Sequence, residues 1–418
     1  MDTIVIGAGL AGLTVAEALA SAGDHVTIIE KYGALGGRVA TMHRKAEGDI
    51  PALQYEIGAG RIFYKHDRVL KLIRDMKLGV YPISMEGLEW RGSSSGYKPE
   101  SNNFTVLFSE LASLLLKLPS SVLATYTIEK LLKKVAPSEF QESLTIKYPY
   151  WSEIKVMRAD LALQSFEKGS TMEAHDATSY LGVVEGLDAI TNGLVEKAKK
   201  AGVEILTHHN VTDVKGYTVI GTKGKKGEET PFTMTAKRVI IATCRCTAGS
   251  FPSIKSLPLF KLLDTEPLIR IYAVYPKVKG KVWFANMGKV ITDSPLRHVI
   301  PINEEKGLIM ISYTDGADCE EWRNMTEKQL EHKIAKEVHA VFGTVPAPIY
   351  LKAHDWGKGC TYWKPGTYDP VKMCELALQP FSKYPHLHLC GESYSMHQTW
   401  MEGALESAER LLKKILPI

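Results

Sequence analysis

The chain has 418 residues, more than one compact core usually accommodates, so we expect two intertwined or consecutive domains. Its hydrophobic share of 45% and charged share of 23% are typical of a globular protein, and a net charge of +4 argues against nucleic-acid binding. The six cysteines form no CxxC pair with a distant partner pair, which argues against a metal site and favours reduced thiols in a cytoplasmic protein. No apolar stretch approaches the ~20 residues of a membrane span, so we expect no integral membrane association.

The first residues predict a strand that leads into a glycine-rich turn. The β-branched run at 3–6 is typical of a buried parallel strand, and Gly7, Gly9 and Gly12 follow it with GxGxxG spacing. Gly7 permits the tight turn, Gly9 lets a pyrophosphate approach the backbone, and Gly12 lets the next helix pack on the strand. The spacing therefore predicts a Rossmann-type dinucleotide site at the start of the chain.

The segment after this turn indicates where the rest of a dinucleotide would bind. A helix begins at Leu10 and Ala11, and its free N–H groups and positive dipole end can face a phosphate. The next strand ends at Glu30, whose carboxylate can accept both hydroxyls of an adenosine ribose. Gly37 then lets the chain pass close to the cofactor, and Arg38 brings a positive charge towards the diphosphate. A plain NAD dehydrogenase does not need this glycine–arginine extension.

Two motifs together resemble the flavin-containing amine oxidase superfamily, whose members are FAD-dependent and of the GR2 type. "KYGALGGRVAT" carries the glycine–arginine pair, and "YEIGAGRIF" at 55–63 is similar to the D/E-x-G-x-x-x-[FWH] stretch of that family. In the family, which includes monoamine oxidases, protoporphyrinogen oxidases and phytoene desaturases, this stretch passes beside the isoalloxazine ring. The resemblance implies that Gly58, Ala59, Gly60 and Arg61 contact the flavin.

The middle of the chain changes from a helical to an alternating α/β pattern. In 66–181, apolar residues recur at three- and four-residue steps, as in "DRVLKLIRDMKL", "FTVLFSELASLLLKL", "TIEKLLKKV" and "ADLALQSFEKG", which predicts amphipathic helices of an inserted cap. In 182–264, "VEIL" and "KRVIIATC" predict further buried strands. The resemblance implies that this second block belongs to the FAD domain, where the backbone of Val211 hydrogen-bonds the adenine.

The segment 265–351 predicts consecutive strands followed by a helix at 326–342. The runs "PLIRIYAVYP", "KVWFANMG", "HVIPINE" and "GLIMISYT" favour strands joined by hairpins, as in a second, substrate-side domain. The resemblance places Arg270 where flavin amine oxidases commonly have a lysine bridged by water to flavin N5. Because arginine stays protonated, it cannot serve as a base there. The departure indicates a substrate that carries a carboxylate, with an outward arginine in an ion pair as the alternative.

The C-terminal segment "HLHLCGESYSMHQTWMEGALESAERLLKKIL" resembles the closing motif of the same family. The resemblance implies that Gly391 and Glu392 contact the diphosphate–ribityl part of FAD, and that the Met401 N–H faces flavin O2. Trp400 would line the substrate cavity. Upstream, Trp356 is a second candidate for an aromatic wall beside the flavin, with ordinary core packing as the alternative.

One cysteine raises the question of covalent flavin attachment. Cys360 follows a glycine, as does the cysteine that binds flavin covalently in monoamine oxidases. The flanking spacing is shorter in this chain, however. We therefore expect non-covalent FAD, with a thioether to Cys360 as the alternative.

These observations predict an α/β protein, α+β overall, in which a Rossmann-like FAD-binding domain is interleaved with a substrate domain of mixed sheet plus helices. The predicted FAD-binding domain comprises residues 1–65, 182–264 and 352–418. The predicted substrate-binding or cap domain comprises residues 66–181 and 265–351.

The function expected from this architecture is that of an FAD-dependent oxidoreductase. The leading hypothesis is amine oxidase-like hydride transfer from a substrate C–H to flavin N5, with reoxidation by oxygen and with Arg270, Trp356 and Trp400 as candidate catalytic residues. One alternative is a desaturase or isomerase of an apolar molecule, which Arg270 in place of the lysine also favours, and another is a non-catalytic FAD-binding interaction protein. The expected partner is a small-molecule substrate, and a homodimer is a further prediction.

Overall fold

The computed structural model describes residues 2–83, 89–92, 113–135, 138, 150–165 and 180–416. The first part of the predicted helix "FTVLFSELASLLLKL" and the end of "ADLALQSFEKG" lie outside these residues. The strands are β1 (Thr3–Ile6), β2 (Val26–Ile29), β3 (Thr41–Arg44), β4 (Leu53–Glu56), β5 (Ile62–Phe63), β6 (Val80–Ile83), β7 (Glu89–Trp90), β8 (Tyr180–Val183), β9 (Glu204–Leu206), β10 (His209–Lys215), β11 (Thr218–Lys223), β12 (Thr230–Thr235), β13 (Arg238–Ile241), β14 (Leu263–Val274), β15 (Val290–Ile291), β16 (His298–Asn303), β17 (Leu308–Asp315), β18 (Tyr350–Trp363) and β19 (Leu387–Leu389). The helices are α1 (Leu10–Ser21), α2 (Asp67–Met76), α3 (Ser120–Thr125), α4 (Ile128–Val135), α5 (Trp151–Lys155), α6 (Ala159–Ser165), α7 (Asp188–Lys200), α8 (Arg245–Ala248), α9 (Glu327–Phe342), α10 (Pro370–Leu378) and α11 (Met401–Ile415).

A five-stranded parallel sheet, in the order β19-β13-β1-β2-β9, carries the N-terminal turn. Its strands β1 and β2 are buried at every residue because both faces of the sheet are covered. Val5, Ile28 and Ile240 belong to the core on one face, and Ile4 and Ile241 belong to the core on the other. Continuous β-branched runs, rather than alternating ones, are the sequence pattern that this double burial requires.

Three helices cover one face of the parallel sheet, and a small sheet lies on the other. Leu13 of α1, Leu194 of α7 and Leu411 of α11 share one apolar core with that face. The antiparallel sheet β10-β11-β12 contributes Val214 and Val219 to the core on the opposite face. In the described ranges, no helix combines the length and the apolar character that crossing a bilayer requires.

A six-stranded sheet, in the order β18-β14-β17-β16-β15-β7, forms the second large layer. Its neighbours are antiparallel except for β15 and β7. Ile271, Ile309 and Ile311 pack with Ile334 and Val338 of α9, so the helix covers one face of this sheet. The 326–342 helix predicted from the sequence is present as α9.

The predicted strand "KVWFANMG" is wrong, because this segment forms turns in the structure. The Ala285 N–H donates to the Val282 carbonyl oxygen at 3.2 Å, and the Met287 N–H donates to the Phe284 carbonyl oxygen at 3.0 Å. Asn286 has a φ of 58°, which no β-strand allows. The apolar residues that suggested a strand are buried by aromatic packing instead, since Trp283 contacts the rings of both Tyr275 and Phe342.

Two strands cross the predicted domain boundaries. β14 begins at Leu263, and β18 pairs with it in the six-stranded sheet along nearly its whole length. Strand pairing therefore groups residues 352–363 with the substrate-side sheet, whereas the sequence pattern assigned them to the FAD-binding domain. The reason is that β18 must extend to 14 residues to follow the full length of β14. The remaining division into two domains stays a prediction.

Candidate active site

The N-terminal turn has the geometry of a phosphate cradle. Gly7 has a φ of 104°, and a Cβ there would lie 2.8 Å from the Ala242 carbonyl oxygen. A Cβ on Gly12 would lie only 2.0 Å from the Gly7 carbonyl oxygen, so helix α1 needs this glycine to approach the turn. At Gly9, by contrast, a Cβ would meet no heavy atom within 4 Å. The protein's own packing therefore requires Gly7 and Gly12, while Gly9 borders open space that a ligand can fill.

The first turn of α1 presents its backbone to that space. Gly9 is the N-cap, no side chain caps the helix, and the first turn carries no acidic residue. The N–H groups at the start of the helix, including those of Leu10 and Ala11, lack intrahelical partners and suit a phosphate. Gly37 closes the cradle from the other side: its φ is 61°, and a Cβ there would lie 3.2 Å from the Gly9 Cα.

Glu30 is held at the end of β2 with capacity for a ligand. Its two carboxylate oxygens accept the N–H groups of Ala8 at 2.8 Å and Tyr32 at 2.9 Å. Each oxygen retains a further lone pair that can accept a ribose hydroxyl. The His209 N–H donates to the Glu30 carbonyl oxygen at 2.9 Å, which brings the start of β10 alongside. Val211, the predicted adenine contact, lies two residues further along that strand.

An ion pair joins the glycine–arginine motif to the C-terminal motif. Arg38 Nη2 lies 2.8 Å from Glu392 Oε2, and Arg38 Nη1 donates to the Gly359 carbonyl oxygen at 2.8 Å. The other Glu392 oxygen accepts the Thr399 N–H at 2.5 Å. Gly391, with a φ of 129°, makes the turn that brings Glu392 to this position. Two segments predicted separately to contact the FAD diphosphate thus meet in the fold.

The 58–61 loop lies between Arg38 and Arg270. A Cβ on Gly58 would lie 2.1 Å from the Arg38 carbonyl oxygen, which also accepts the Ala59 N–H at 2.8 Å. A Cβ on Gly60 would lie 2.9 Å from Arg270 Nη2. Gly58 is therefore needed for packing within the protein, and Gly60 leaves room for the Arg270 guanidinium, in addition to their predicted place beside the flavin.

Arg270 is buried, so the alternative of an outward arginine in an ion pair is wrong. Its Nη1 donates to the Glu56 carbonyl oxygen at 3.0 Å, and its guanidinium lies 5.3 Å from the centre of the Tyr313 ring. Its Nε has no hydrogen-bond partner. Burial raises the pKa of the nearby Glu56 carboxyl to about 7, against the hydrogen bonds that it accepts from the Leu187 N–H and the Thr41 hydroxyl.

Trp356 and Trp400, the two predicted aromatic wall residues, lie in different parts of the structure. Trp356 donates its Nε1–H to the Ile57 carbonyl oxygen at 2.5 Å and so supports the strand before the 58–61 loop. Trp400 is the N-cap of α11, directly before the buried Met401. Its ring is parallel to that of Tyr180, with centroids 6.3 Å apart.

Arg61 links this aromatic pair to the surroundings of Arg270. Its guanidinium lies 4.2 Å from the centre of the Tyr180 ring, and its Nη2 donates to the Tyr150 hydroxyl at 3.3 Å. The Tyr150 ring contacts that of Tyr313, with centroids 5.7 Å apart, and Tyr313 in turn contacts Arg270. We call Arg61, Tyr150, Arg270 and Tyr313 the basic–aromatic cluster.

Two residues beside the basic–aromatic cluster were missed from the sequence. His298 is buried among Tyr150 and Tyr313, and neither of its ring nitrogens has a hydrogen-bond partner. Burial lowers the pKa of His298 to about 3, so the imidazole is neutral. Burial also lowers the pKa of Lys289 to about 7, with the charge of Arg61 adding to the effect. His298 lies on β16 and Lys289 directly before β15, and neither residue type carries a local sequence signal of such surroundings.

Cys360 lies on β18 opposite Glu266. Burial raises the pKa of its thiol to about 12, so the group is a neutral thiol rather than a reactive thiolate. The expected non-covalent attachment of FAD stays a prediction.

An open phosphate cradle, an acid for the ribose and an arginine–glutamate pair beside the cradle fit the nucleotide part of FAD and define a protein of the FAD-binding class. The model of the family "Flavin containing amine oxidoreductase" matches residues 10–92 and 147–411, so the chain belongs to that family. The match confirms the predicted family, the FAD cofactor and the oxidoreductase class. The individual site residues stay predictions.

Comparisons with characterised proteins extend over almost the whole chain. An L-amino-acid oxidase of Siganus canaliculatus is 24% identical over 99% of this chain and 84% of its own length. The flavin-dependent L-tryptophan oxidase RebO of Lentzea aerocolonigenes is 25% identical over 98% of this chain and 97% of its own.

Among solved structures, cyclohexylamine oxidase from Brevibacterium oxydans IH-35A superimposes with a TM-score of 0.74 at 17% identity, covering 99% of both chains. Wild-type putrescine oxidase bound to putrescine gives a TM-score of 0.72 at 17% identity, covering 99% of this chain and 98% of its own. These likenesses confirm the predicted fold class.

Proposed function

We propose that the protein is an oxidase of primary amines that carry a carboxylate, such as α-amino acids. The observation that carries the proposal is the buried guanidinium of Arg270, which forms no ion pair among the described residues and whose Nε has no hydrogen-bond partner. A buried cation of this kind is costly unless an anion joins it. The two L-amino-acid-oxidising relatives support the same substrate class.

The arrangement around Arg270 suits a substrate carboxylate. Because Nη1 donates to the Glu56 carbonyl oxygen, the guanidinium is held in one orientation. A substrate carboxylate that accepts from the Arg270 guanidinium would gain a charge-assisted hydrogen bond in a site of low polarity. Arg61, fixed on the Tyr180 ring, adds a second positive charge at the other end of the basic–aromatic cluster.

Bound FAD supplies the redox chemistry by accepting a hydride from the substrate carbon. The chain's own residues hold the substrate in place. Arg270 would fix the carboxylate, and Trp400 with Tyr180 would form an apolar wall that excludes water from the reacting carbon. Lys289, whose pKa burial lowers to about 7, is the candidate to take up a proton from an incoming ammonium group.

Matched pairs of substrates test the proposal. The holoenzyme is mixed anaerobically with L-ornithine or putrescine, and with L-phenylalanine or phenethylamine, so that each amino acid is compared with its decarboxylated amine. Flavin bleaching is followed by stopped flow, and peroxide release is measured on admission of air. We expect the amino acid of each pair to reduce the flavin faster. Bleaching by polyenes but by no amine would favour the desaturase alternative.

The variant Arg270→Met sharpens this test. Loss of a charge-assisted hydrogen bond of about 1.5–3 kcal/mol should raise KM for the amino acid by roughly 10- to 100-fold. KM for the decarboxylated amine should change little. Arg323→Met, which removes an arginine paired with Asp355 and Glu320, is the matched control and should affect neither substrate. Equal loss on both substrates would contradict a carboxylate-binding role.

The proposal also includes a cytoplasmic location, a small molecule as the only required partner, and a homodimer. All six cysteines are free thiols, which supports a cytoplasmic location. Small-molecule turnover requires no other partner. Sedimentation equilibrium of the holoenzyme measures its mass in solution and so tests the predicted homodimer.

A further inference from the structure

The turn after β13 brings two thiols together. Cys244 and Cys246 are half-buried, and their Sγ atoms lie 2.7 Å apart. Cys244 Sγ also lies 3.3 Å from the Thr247 hydroxyl oxygen. The two sulfur atoms are therefore in contact, which places the thiols within reach of a disulfide once they are oxidised.

This thiol pair lies against the predicted FAD diphosphate site. Thr243, the residue before Cys244, contributes a methyl carbon 3.3 Å from where a Cβ on Gly7 would lie. On the other side, the Arg245 N–H donates to the Ser393 hydroxyl at 3.2 Å, next to Glu392. The turn is thus fixed between the phosphate cradle and the C-terminal motif.

The surroundings make the two thiols chemically unequal. The pKa of Cys244 is lowered because the Cys246 thiol donates a hydrogen bond to it, and the positive charge of Arg38 adds to this effect against the cost of burial. The pKa of Cys246 is raised for the same reason, so it remains the protonated partner. A thiolate beside a thiol is the arrangement of an attacking and a resolving cysteine.

We propose that Cys244 and Cys246 form a redox site that hydrogen peroxide converts to a disulfide. The Cys244 thiolate attacks one peroxide oxygen, the O–O bond breaks, and with one proton taken up the products are a sulfenic acid and water. The Cys246 thiol then attacks the sulfenic sulfur, the S–O bond breaks, and a second water leaves as the disulfide forms. Two thiols are oxidised and one peroxide is reduced to two waters, and a dithiol reductant reverses the change.

The proposal rests on the proposed oxidase function only for the source of peroxide, which reoxidation by oxygen would release within the same molecule. The consequence is electrostatic. Oxidation replaces the thiolate beside Arg38 with an uncharged disulfide, so the guanidinium loses one of its two negative neighbours and keeps Glu392. We therefore expect the FAD affinity to differ between the reduced and the oxidised pair, since Arg38 is predicted to contact the diphosphate.

The test uses the FAD-loaded enzyme and reagent peroxide without substrate. After treatment, free thiols are blocked with N-ethylmaleimide and the digest is examined by mass spectrometry. We expect the peptide with Cys244 and Cys246 to lose two hydrogens, to escape alkylation, and to regain both thiols with dithiothreitol. Because an ordinary thiol is only a few per cent ionised at neutral pH, peroxide should oxidise the pair at least about ten-fold faster than it oxidises Cys246 alone in Cys244→Ser.

Two variants assign the roles. In Cys246→Ser, dimedone should trap a sulfenic acid on Cys244, and in Cys244→Ser it should leave Cys246 unmodified. Cys374→Ser, which removes a buried thiol elsewhere, is the control and should behave as the unaltered enzyme. Full alkylation of both thiols after peroxide treatment, or equal dimedone labelling in the two variants, would overturn the proposal.

The outcomes separate this site from the proposed function. If reagent peroxide forms the disulfide but no amine or amino acid reduces the flavin, the redox site stands and the proposed function fails. If substrates are oxidised with release of peroxide and the thiols stay reduced, the redox site fails alone.

Discussion

The five-stranded parallel sheet and the six-stranded antiparallel sheet provide the site with different kinds of polar group. At the parallel sheet, backbone amides and a glycine turn form the phosphate cradle, and their positions follow from local conformation between β1 and α1. At the antiparallel sheet, the polar groups are the buried side chains of Arg270 and His298, which come from strands β14 and β16. The parallel sheet would hold a cofactor common to many enzymes, whereas the side chains on the antiparallel sheet can differ between enzymes with different substrates.

The two sheets also differ in how favourable their polar groups are in the absence of a ligand. The glycines of the cradle have conformations that the packing of α1 against the turn needs in any case. Arg270 and His298 retain donors or acceptors without partners in the protein, which is unfavourable until a ligand supplies them. Changes at the parallel sheet should therefore act on folding or FAD affinity, and changes at the antiparallel sheet on substrate and pH dependence.

The largest effect is expected from Gly12→Ala. The new Cβ would lie 2.0 Å from the Gly7 carbonyl oxygen, so α1 must move away from the turn. Overpacking against backbone should cost about 3 kcal/mol of unfolding free energy and abolish FAD binding. Chemical denaturation of the apoprotein and the flavin absorbance of the purified protein measure the two effects.

Gly9→Ala is the matched control for that change. Its Cβ would meet no protein atom within 4 Å, so the apoprotein should keep its stability within roughly 0.5 kcal/mol. FAD affinity should nevertheless fall by at least about ten-fold, because the methyl group would occupy space left for the pyrophosphate. Unchanged FAD affinity in Gly9→Ala would contradict the assignment of the cradle.

A smaller effect is expected from Glu392→Gln. The substitution leaves the Arg38 guanidinium without its carboxylate partner and weakens the hydrogen bond from the Thr399 N–H, at a cost of about 2 kcal/mol. Thermal unfolding with and without FAD measures the loss. Glu409→Gln, at a more exposed carboxylate paired with Arg68 and Lys413, should change stability by less than about 0.5 kcal/mol. Equal losses in the two variants would show that the Arg38 pair has no special role.

The smallest effect at neutral pH, and the one confined to the antiparallel sheet, is a pH dependence from His298. Burial lowers its folded pKa to about 3 from an ordinary value of 6.5. Its contribution to stability is therefore fully present above pH 6.5 and is lost as the pH falls towards 3. His298→Phe should make the unfolding free energy less steep in this window by about 1 kcal/mol per pH unit. An unchanged slope between pH 6.5 and 4 would exclude His298 as a source of acid sensitivity.

The two regions also differ in how far the sequence predicted them. Strand β1, the turn at Gly7, helix α1 and the acid at Glu30 were predicted in order, because each depends on neighbours within about 30 residues. The "KVWFANMG" segment and the extent of β18 were not, because aromatic packing and pairing with β14 decide them. Sequence patterns report local preference, and long-range packing overrides it where the two disagree.

The sequence by itself determined the family, the FAD cofactor and the parallel sheet, since glycine spacing and β-branched runs act through the backbone over short distances. Only the tertiary structure decided that Arg38 pairs with Glu392, that Gly60 lies against Arg270, and that two thiols two residues apart contact each other beside the cradle. The physical reason is that such contacts depend on the rotation of each side chain and on the approach of strands far apart in sequence. Neither quantity is encoded in the spacing of residues along the chain.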